Sequence, residues 1–337
     1  MKTNIKKILL FLITLIFLYF VFVNLDIKEF LIIIKKFDVR YIFLLTASMI
    51  ISFSFRAVCF KYLIFKTVNP PLKELIPLCI TCASLNIILP ARAGDIFRAF
   101  FAGQKYNVNK LKIFGSVMFE RILDVFIIFC FLCLGVFLYH RNEIAMQLCT
   151  FAGICMLFAS IFTVIAYKFN KTDEICKFIS EKTSSLSFSQ FIEKIIGFIN
   201  KSCNSFFNGF EVIDSPKNLI TALFASFWIW FFEAMNFLIV IYGFGYNGLH
   251  WSISIFIVCF IAMACMIPST SIFIGPYQVA IIAAFSIYNV NKETALAVSF
   301  VEQIIVTFVT VIIAGIFLLK NNISYKELKE DISSQQI

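Results

Sequence analysis

The chain has 337 residues, 61% of them hydrophobic, with a formal net charge of +9 and a mean hydropathy of +0.91. Soluble domains carry roughly 45–50% apolar residues, so this composition excludes a water-soluble fold. The Lys and Arg residues are scattered over several connections, the pattern of a membrane topology signal and not of a basic groove, so no nucleic acid is expected as a partner.

The first apolar run, Ile8 to Leu25, follows Lys2, Lys6 and Lys7. It is longer than a signal-peptide core and no small-residue cleavage site follows, so it reads as a retained first span. Asp26 to Arg40 is mixed, with an apolar stripe of Phe30, Ile33, Ile34 and Phe37 that predicts an amphipathic helix along the membrane surface. A second span, Tyr41 to Phe65, contains Arg56. The next apolar stretch, 75–103, is broken by Leu85-Asn86-Ile87-Ile88-Leu89-Pro90-Ala91-Arg92-Ala93-Gly94-Asp95-Ile96-Phe97-Arg98. A third span, Ile113 to Tyr139, carries Glu120, Arg121 and Asp124, and a fourth runs from Ala145 to Tyr167. Lys168 to Lys217 is the only long polar stretch. Within it Phe188, Phe191, Ile192, Ile195, Ile196 and Ile199 recur near helical spacing and predict an interfacial helix. A fifth span, Asn218 to Gly243, holds Trp228, Trp230 and Glu233. A second broken stretch, 250–288, contains Pro268-Ser269-Thr270-Ser271-Ile272-Phe273-Ile274-Gly275-Pro276-Tyr277-Gln278, and a last span, Thr294 to Leu319, contains Glu302.

These elements predict an all-α polytopic membrane protein of about six full spans plus two re-entrant broken-helix hairpins in an inverted repeat. One integral membrane domain is expected over 1–337: a first half, 41–139, with hairpin 75–103; a cytoplasmic loop, 168–217; and a second half, 218–319, with hairpin 250–288. The Lys-rich connections, among them Lys66, Lys73, Lys105, Lys110 and Lys112, gather on one side if both hairpins return to the side they enter from. That places both termini in the cytoplasm of a cell whose inner membrane holds the chain. Two fully crossing hairpins would keep the C-terminus on the same side.

Irregular backbone at membrane depth is tolerated only in protein or beside a wet cavity, so the breaks at Pro90, Pro268, Gly275 and Pro276 should not face lipid. A binding site and a packing kink both fit them. Gly94 and Asp95 open the returning half-helix, whose free N–H groups favour an anion such as phosphate. Arg92 and Arg98 would add charge there, with Asp95 as a cap or an Arg partner; the same arginines also fit as interfacial anchors. Glu120 and Asp124 share a helix face, and either a coupling proton or a structural ion-pair network with Arg121 is open to them. Glu233 and Glu302 are isolated acids, and Arg56 is a candidate partner for either. Asn86 and Gln278 could orient a head group or satisfy loose backbone. No Ser–His pair, Gly-rich nucleotide loop or metal-ligand spacing is found, so neither catalysis nor a metal or cofactor is expected. Most of the eleven cysteines lie inside apolar runs and read as small packing residues.

The stretch from Asn86 through Leu89-Pro90-Ala91-Arg92-Ala93-Gly94-Asp95 to Arg98 resembles the signature of the lysylphosphatidylglycerol synthase transmembrane family. Glu120-Arg121-Ile122-Leu123-Asp124 and Arg56 fit the same pattern, and the likeness covers essentially the whole chain. It implies a flippase-like membrane domain. Two-part bacterial members move aminoacylated phosphatidylglycerol between leaflets, with a separate soluble domain, not expected here, that transfers lysine from tRNA. Stand-alone relatives are linked to lipid, isoprenoid or glycolipid handling. The family's second break usually reads Pro-Gly-Gly-x-Gly-x-x-Glu; here Gln278 stands where an acid is usual, and Glu302-Gln303 where an Arg is common. The expected function is translocation or handling of a phospholipid or lipid-linked phosphate head group. The alternatives are the membrane part of a lipid-modifying transferase, lysyltransferase-like or in glycolipid synthesis, and a scaffold with an envelope-biosynthesis protein partner.

Overall fold

The structure is a computed structural model describing residues 17–23, 25–89, 92–139, 189–265 and 275–323, with isolated positions between 147 and 167. Its helices are α1 (Ile27–Ile34), α2 (Tyr41–Leu63), α3 (Leu72–Ile88), α4 (Ala93–Lys105), α5 (Lys110–Leu138), α6 (Ser189–Phe207), α7 (Pro216–Gly243), α8 (Ser252–Ala264), α9 (Pro276–Ile287) and α10 (Lys292–Lys320). A 3-10 segment, Asn208–Asp214, joins α6 to α7. No strand occurs among the described residues, so the all-helical class holds. The expected spans at Ile8–Leu25 and Ala145–Tyr167 lie largely outside the described residues, as do Pro90 and Pro268.

Four helices, α2, α5, α7 and α10, are long and apolar enough to cross a membrane. The four helices of the broken stretches are shorter: α3 has 17 residues, α4 and α8 13 each, and α9 12. At ~1.5 Å per residue they reach roughly 18–26 Å, short of a hydrocarbon core about 30 Å thick.

Each pair of short helices folds back on itself. At the base of the α3–α4 pair, Glu74 takes Lys105 Nζ at 2.8 Å and the Tyr106 hydroxyl at 2.9 Å. The start of α5 belongs to this same end, where Lys112 Nζ meets Glu211 of the 3-10 segment at 2.9 Å. At the base of the α8–α9 pair, Ser252 Oγ lies 2.5 Å from Tyr288 Oη. Tyr139, just past the far end of α5, stacks on Tyr288 with ring centroids 4.2 Å apart. Because α5 runs from one base to the other, the two hairpins enter the bundle from opposite ends. Helix α2 packs along α7, α10 along α3, and α8 along α5, which closes the two halves around a shared interior.

The two halves also share a turn. Tyr106-Asn107-Val108-Asn109-Lys110 and Tyr288-Asn289-Val290-Asn291-Lys292 are identical in sequence. Asn107 and Asn289 are left-handed at φ 51° and 55°, a conformation that Asn tolerates better than most residues. Val108 N–H then donates back to Gly103 O at 2.8 Å, and Val290 N–H to Phe285 O at 3.2 Å, closing each short helix. Asn109 caps α5 by accepting from Leu111 N–H at 2.9 Å, and Asn291 caps α10 by accepting from Thr294 N–H at 3.3 Å. Both helices so started have 29 residues, with Glu120 and Glu302 at the same position in each.

Candidate functional site

The first break is built from local rules. Proline disfavours helical backbone in the residue before it, and Leu89, which precedes Pro90, is extended at φ −102°, ψ 145°. Arg92 is then left-handed at φ 54°, and α4 starts at Ala93. Asn86 Oδ1 accepts the Asp95 N–H at 3.3 Å, so a side chain of the outgoing helix holds the first turn of the returning one. Arg92 remains half exposed, its Nε 3.8 Å from Asp95 Oδ2.

Behind the break lies a buried cluster of ions. Glu120 is fully buried and takes Arg56 Nη1 at 2.9 Å and Arg121 Nη2 at 2.5 Å on one oxygen. Its other oxygen lies 3.0 Å from Arg98 Nη1, an ion pair without hydrogen-bond alignment. Arg98 is itself fully buried, with Nη2 3.9 Å from Asp95 and its guanidinium 4.6 Å from the Phe60 ring. Asp124 takes Arg121 Nη1 at 3.0 Å and Arg56 Nη1 at 3.4 Å. Its second oxygen accepts from Trp230 Nε1 at 3.0 Å and Ser226 Oγ at 3.2 Å. Arg98 Nε and Nη2 and Arg121 Nε are buried donors without a hydrogen-bond acceptor.

One expectation about pairing is corrected here. Arg56 was a candidate partner for Glu233 or Glu302; its ion pairs are with Glu120 and Asp124. Glu233 instead accepts from Ser52 Oγ at 2.9 Å, though it stays within electrostatic reach of Arg56. Arg121 pairs with its neighbour Glu120 and with Asp124, its long, flexible side chain turning back along its own helix.

The second break has a different chemistry. Gly275 stands at φ 102°, ψ −75°, which glycine alone adopts without strain, and Pro276 starts α9 behind it. Gln278 Oε1 accepts the Gly275 N–H at 2.7 Å and its amide donates to Gln303 Oε1 at 2.8 Å. The Tyr277 hydroxyl donates to Glu302, which is buried. Residues 266–274 lie outside the described residues.

At ~1.5 Å per residue, Glu120 and Glu302 each stand about 15 Å along their helices, which start at opposite ends of the bundle. The structure therefore gathers Arg56, Asn86, Arg92, Gly94, Asp95, Arg98, Glu120, Arg121 and Asp124 around the first break, and Gln278 and Glu302 around the second. Glu233 sits between them, in electrostatic reach of Glu302. The sequence analysis gave no site role to Ser52, Ser226 or Trp230. Ser226, Trp230 and Glu233 are spaced four and three apart, and that polar helix face was a readable signal.

No curated protein and no solved structure matches the chain. The family model described as "Lysylphosphatidylglycerol synthase TM region" matches residues 7–315, and four described helices are able to cross a membrane. By that match the chain, a multi-pass membrane protein, belongs to the lysylphosphatidylglycerol synthase transmembrane family.

Proposed function

We propose that the protein translocates a phospholipid or lipid-linked substrate by its phosphate head group, held between the two hairpins near the membrane midplane. The observation that carries this reading is the charge balance at the first break. Four arginines, Arg56, Arg92, Arg98 and Arg121, face three carboxylates, Asp95, Glu120 and Asp124, through the ion pairs of the cluster. Arg92 is the one arginine of the cluster that is half exposed and only loosely paired. Behind it, Arg98 and Arg121 still have N–H donors to offer a phosphate oxygen. Ionisable groups at such depth are costly and mark substrate pathways by default. Broken helices meeting from opposite sides are the arrangement that alternating-access transporters use.

The test is a leaflet-exchange assay in proteoliposomes, with candidate phospholipids and polyprenyl phosphates as cargo. Arg92→Ala should slow exchange on the order of tenfold, the worth of one charge-assisted hydrogen bond, while leaving protein yield near normal. Lys105→Ala should leave exchange nearly unchanged, because Lys105 pairs with Glu74 at the hairpin base. Equal effects of the two would make Arg92 a mere anchor. Arg98→Ala is the poorer probe, since Arg98 is enclosed and its loss also disturbs Glu120.

On this reading the Lys-rich end, with the α3–α4 base and the 3-10 segment, faces the cytoplasm of the inner membrane, and both termini lie there. Single cysteines in a cysteine-free background check it: Asn208→Cys should label only after permeabilisation, and Gly248→Cys in intact cells. Both positions are exposed. The reverse pattern would invert the topology.

A further inference from the structure

The shared turn fixes which residues of the two halves correspond. Counting from it along the helices it joins, Glu120 corresponds to Glu302, Asp95 to Tyr277, Arg121 to Gln303 and Arg98 to Ala280. Arg98 and Arg121, two charged partners of Glu120, have neutral counterparts in the second half, yet the acid itself is kept. Glu120 faces three guanidinium groups. Glu302, equally deep and also buried, receives the Tyr277 hydroxyl and stands beside the Gln278–Gln303 pair.

Among the described residues Glu302 makes no ion pair, and the charged group in its electrostatic reach is another acid, Glu233. From α9 comes Tyr277, and from α7 comes Glu233. From α2, Arg56 is committed to Glu120 and Asp124, with Glu233 in reach. From α3, the charged residues Lys73 and Glu74 lie at the far base, the latter tied to Lys105. From α1, Glu29 bonds Asn291 at the start of α10. Residues 266–274, Met-Ile-Pro-Ser-Thr-Ser-Ile-Phe-Ile, contain no ionisable side chain that could balance it. A buried carboxylate without a counter-charge is expensive at this depth, whereas a neutral acid beside a hydroxyl and an amide is not.

We propose that Glu302 is the site of a coupling proton: its carboxylate gains a proton from water on one side of the membrane and releases it on the other as the hairpins exchange. Only an O–H bond forms and breaks, and no further reactant is needed. Glu120, pinned by three arginines, keeps its charge and holds the anion site together. The proposal rests on the transport reading for its role in a cycle, but the proton site itself can be tested without transport.

Two measurements separate the ideas. Infrared difference spectra of the reconstituted full chain, recorded over a pH titration, should contain a protonated-carboxyl band that Glu302→Gln removes. The glutamine keeps the size of the side chain and an acceptor for Tyr277. In proteoliposomes, lipid exchange by the wild type should respond to an imposed pH gradient, and Glu302→Gln should lose that response. A band unchanged in Glu302→Gln, or gradient dependence that survives in it, overturns the proton site. A band that vanishes in a protein that exchanges no lipid would uphold the proton site and count against the transport reading.

Discussion

Glu120→Ala should be among the most destabilising single changes in this chain. The side chain is fully buried and contacts Arg56, Arg98 and Arg121 within 3.0 Å. Removing it strands three guanidinium groups at membrane depth. Breaking a buried pair by deleting one partner costs about 3–5 kcal/mol, a large share of the roughly 5–15 kcal/mol that holds a typical domain together. Glu120→Gln keeps an acceptor but not the charge, so it should lie between alanine and wild type, and Glu120→Asp closest to wild type. Melting of the detergent-solubilised protein, followed by the loss of a monodisperse peak, gives the ranking. An alanine variant that melts with the wild type would mean that the ion cluster contributes nothing to stability. Glu302→Gln makes the contrast within one molecule: with no cation to strand, it should melt close to wild type despite equal depth.

The sequence displayed the parts of this cluster but not their connections. Apolar length and the prolines disclose the long helices and the two breaks, because crossing a bilayer imposes a length and proline imposes a backbone. Which ion meets which is a tertiary matter. Arg56 on α2 reaches Glu120 on α5 only because α2 and α5 are brought side by side, and no spacing within either helix records that. Trp230 and Ser226 reach Asp124 for the same reason. The repeat was legible and went unread: Tyr-Asn-Val-Asn-Lys occurs twice, and each copy performs the same task of ending a short helix and capping a long one. Hydrophobic periodicity passes over such a signal, because the information is in the turn residues, where a left-handed Asn and a capping Asn are both required. Counted from that turn, Glu120 and Glu302 are counterparts in the sequence itself.

Gly94→Ala should dislodge the first hairpin although it adds a single methyl group. A Cβ built on Gly94 would lie 2.0 Å from Cys82 O and 2.8 Å from Asn86 Oδ1. The nearer of these is helix backbone, which cannot turn aside as a side chain can. The glycine is therefore required by the close approach of α4 to α3, the approach that also lets Asn86 reach the Asp95 N–H. Forcing extra atoms into a packed site costs typically 1–3 kcal/mol, and the strain here falls on the two turns that carry Arg92 and Asp95. Lipid exchange should consequently fall with Gly94→Ala at least as far as with Arg92→Ala, accompanied by a lower melting temperature that Arg92→Ala does not show. Gly315→Ala in α10 is the matched control. Nothing lies within 4 Å of its added methyl, and alanine in a helix interior is favoured over glycine by about 1 kcal/mol, so it should melt at or above the wild type with exchange unchanged. If Gly94→Ala behaves like Gly315→Ala, the two legs of the hairpin are not packed as described. Arg92 would then have no fixed position from which to hold a phosphate.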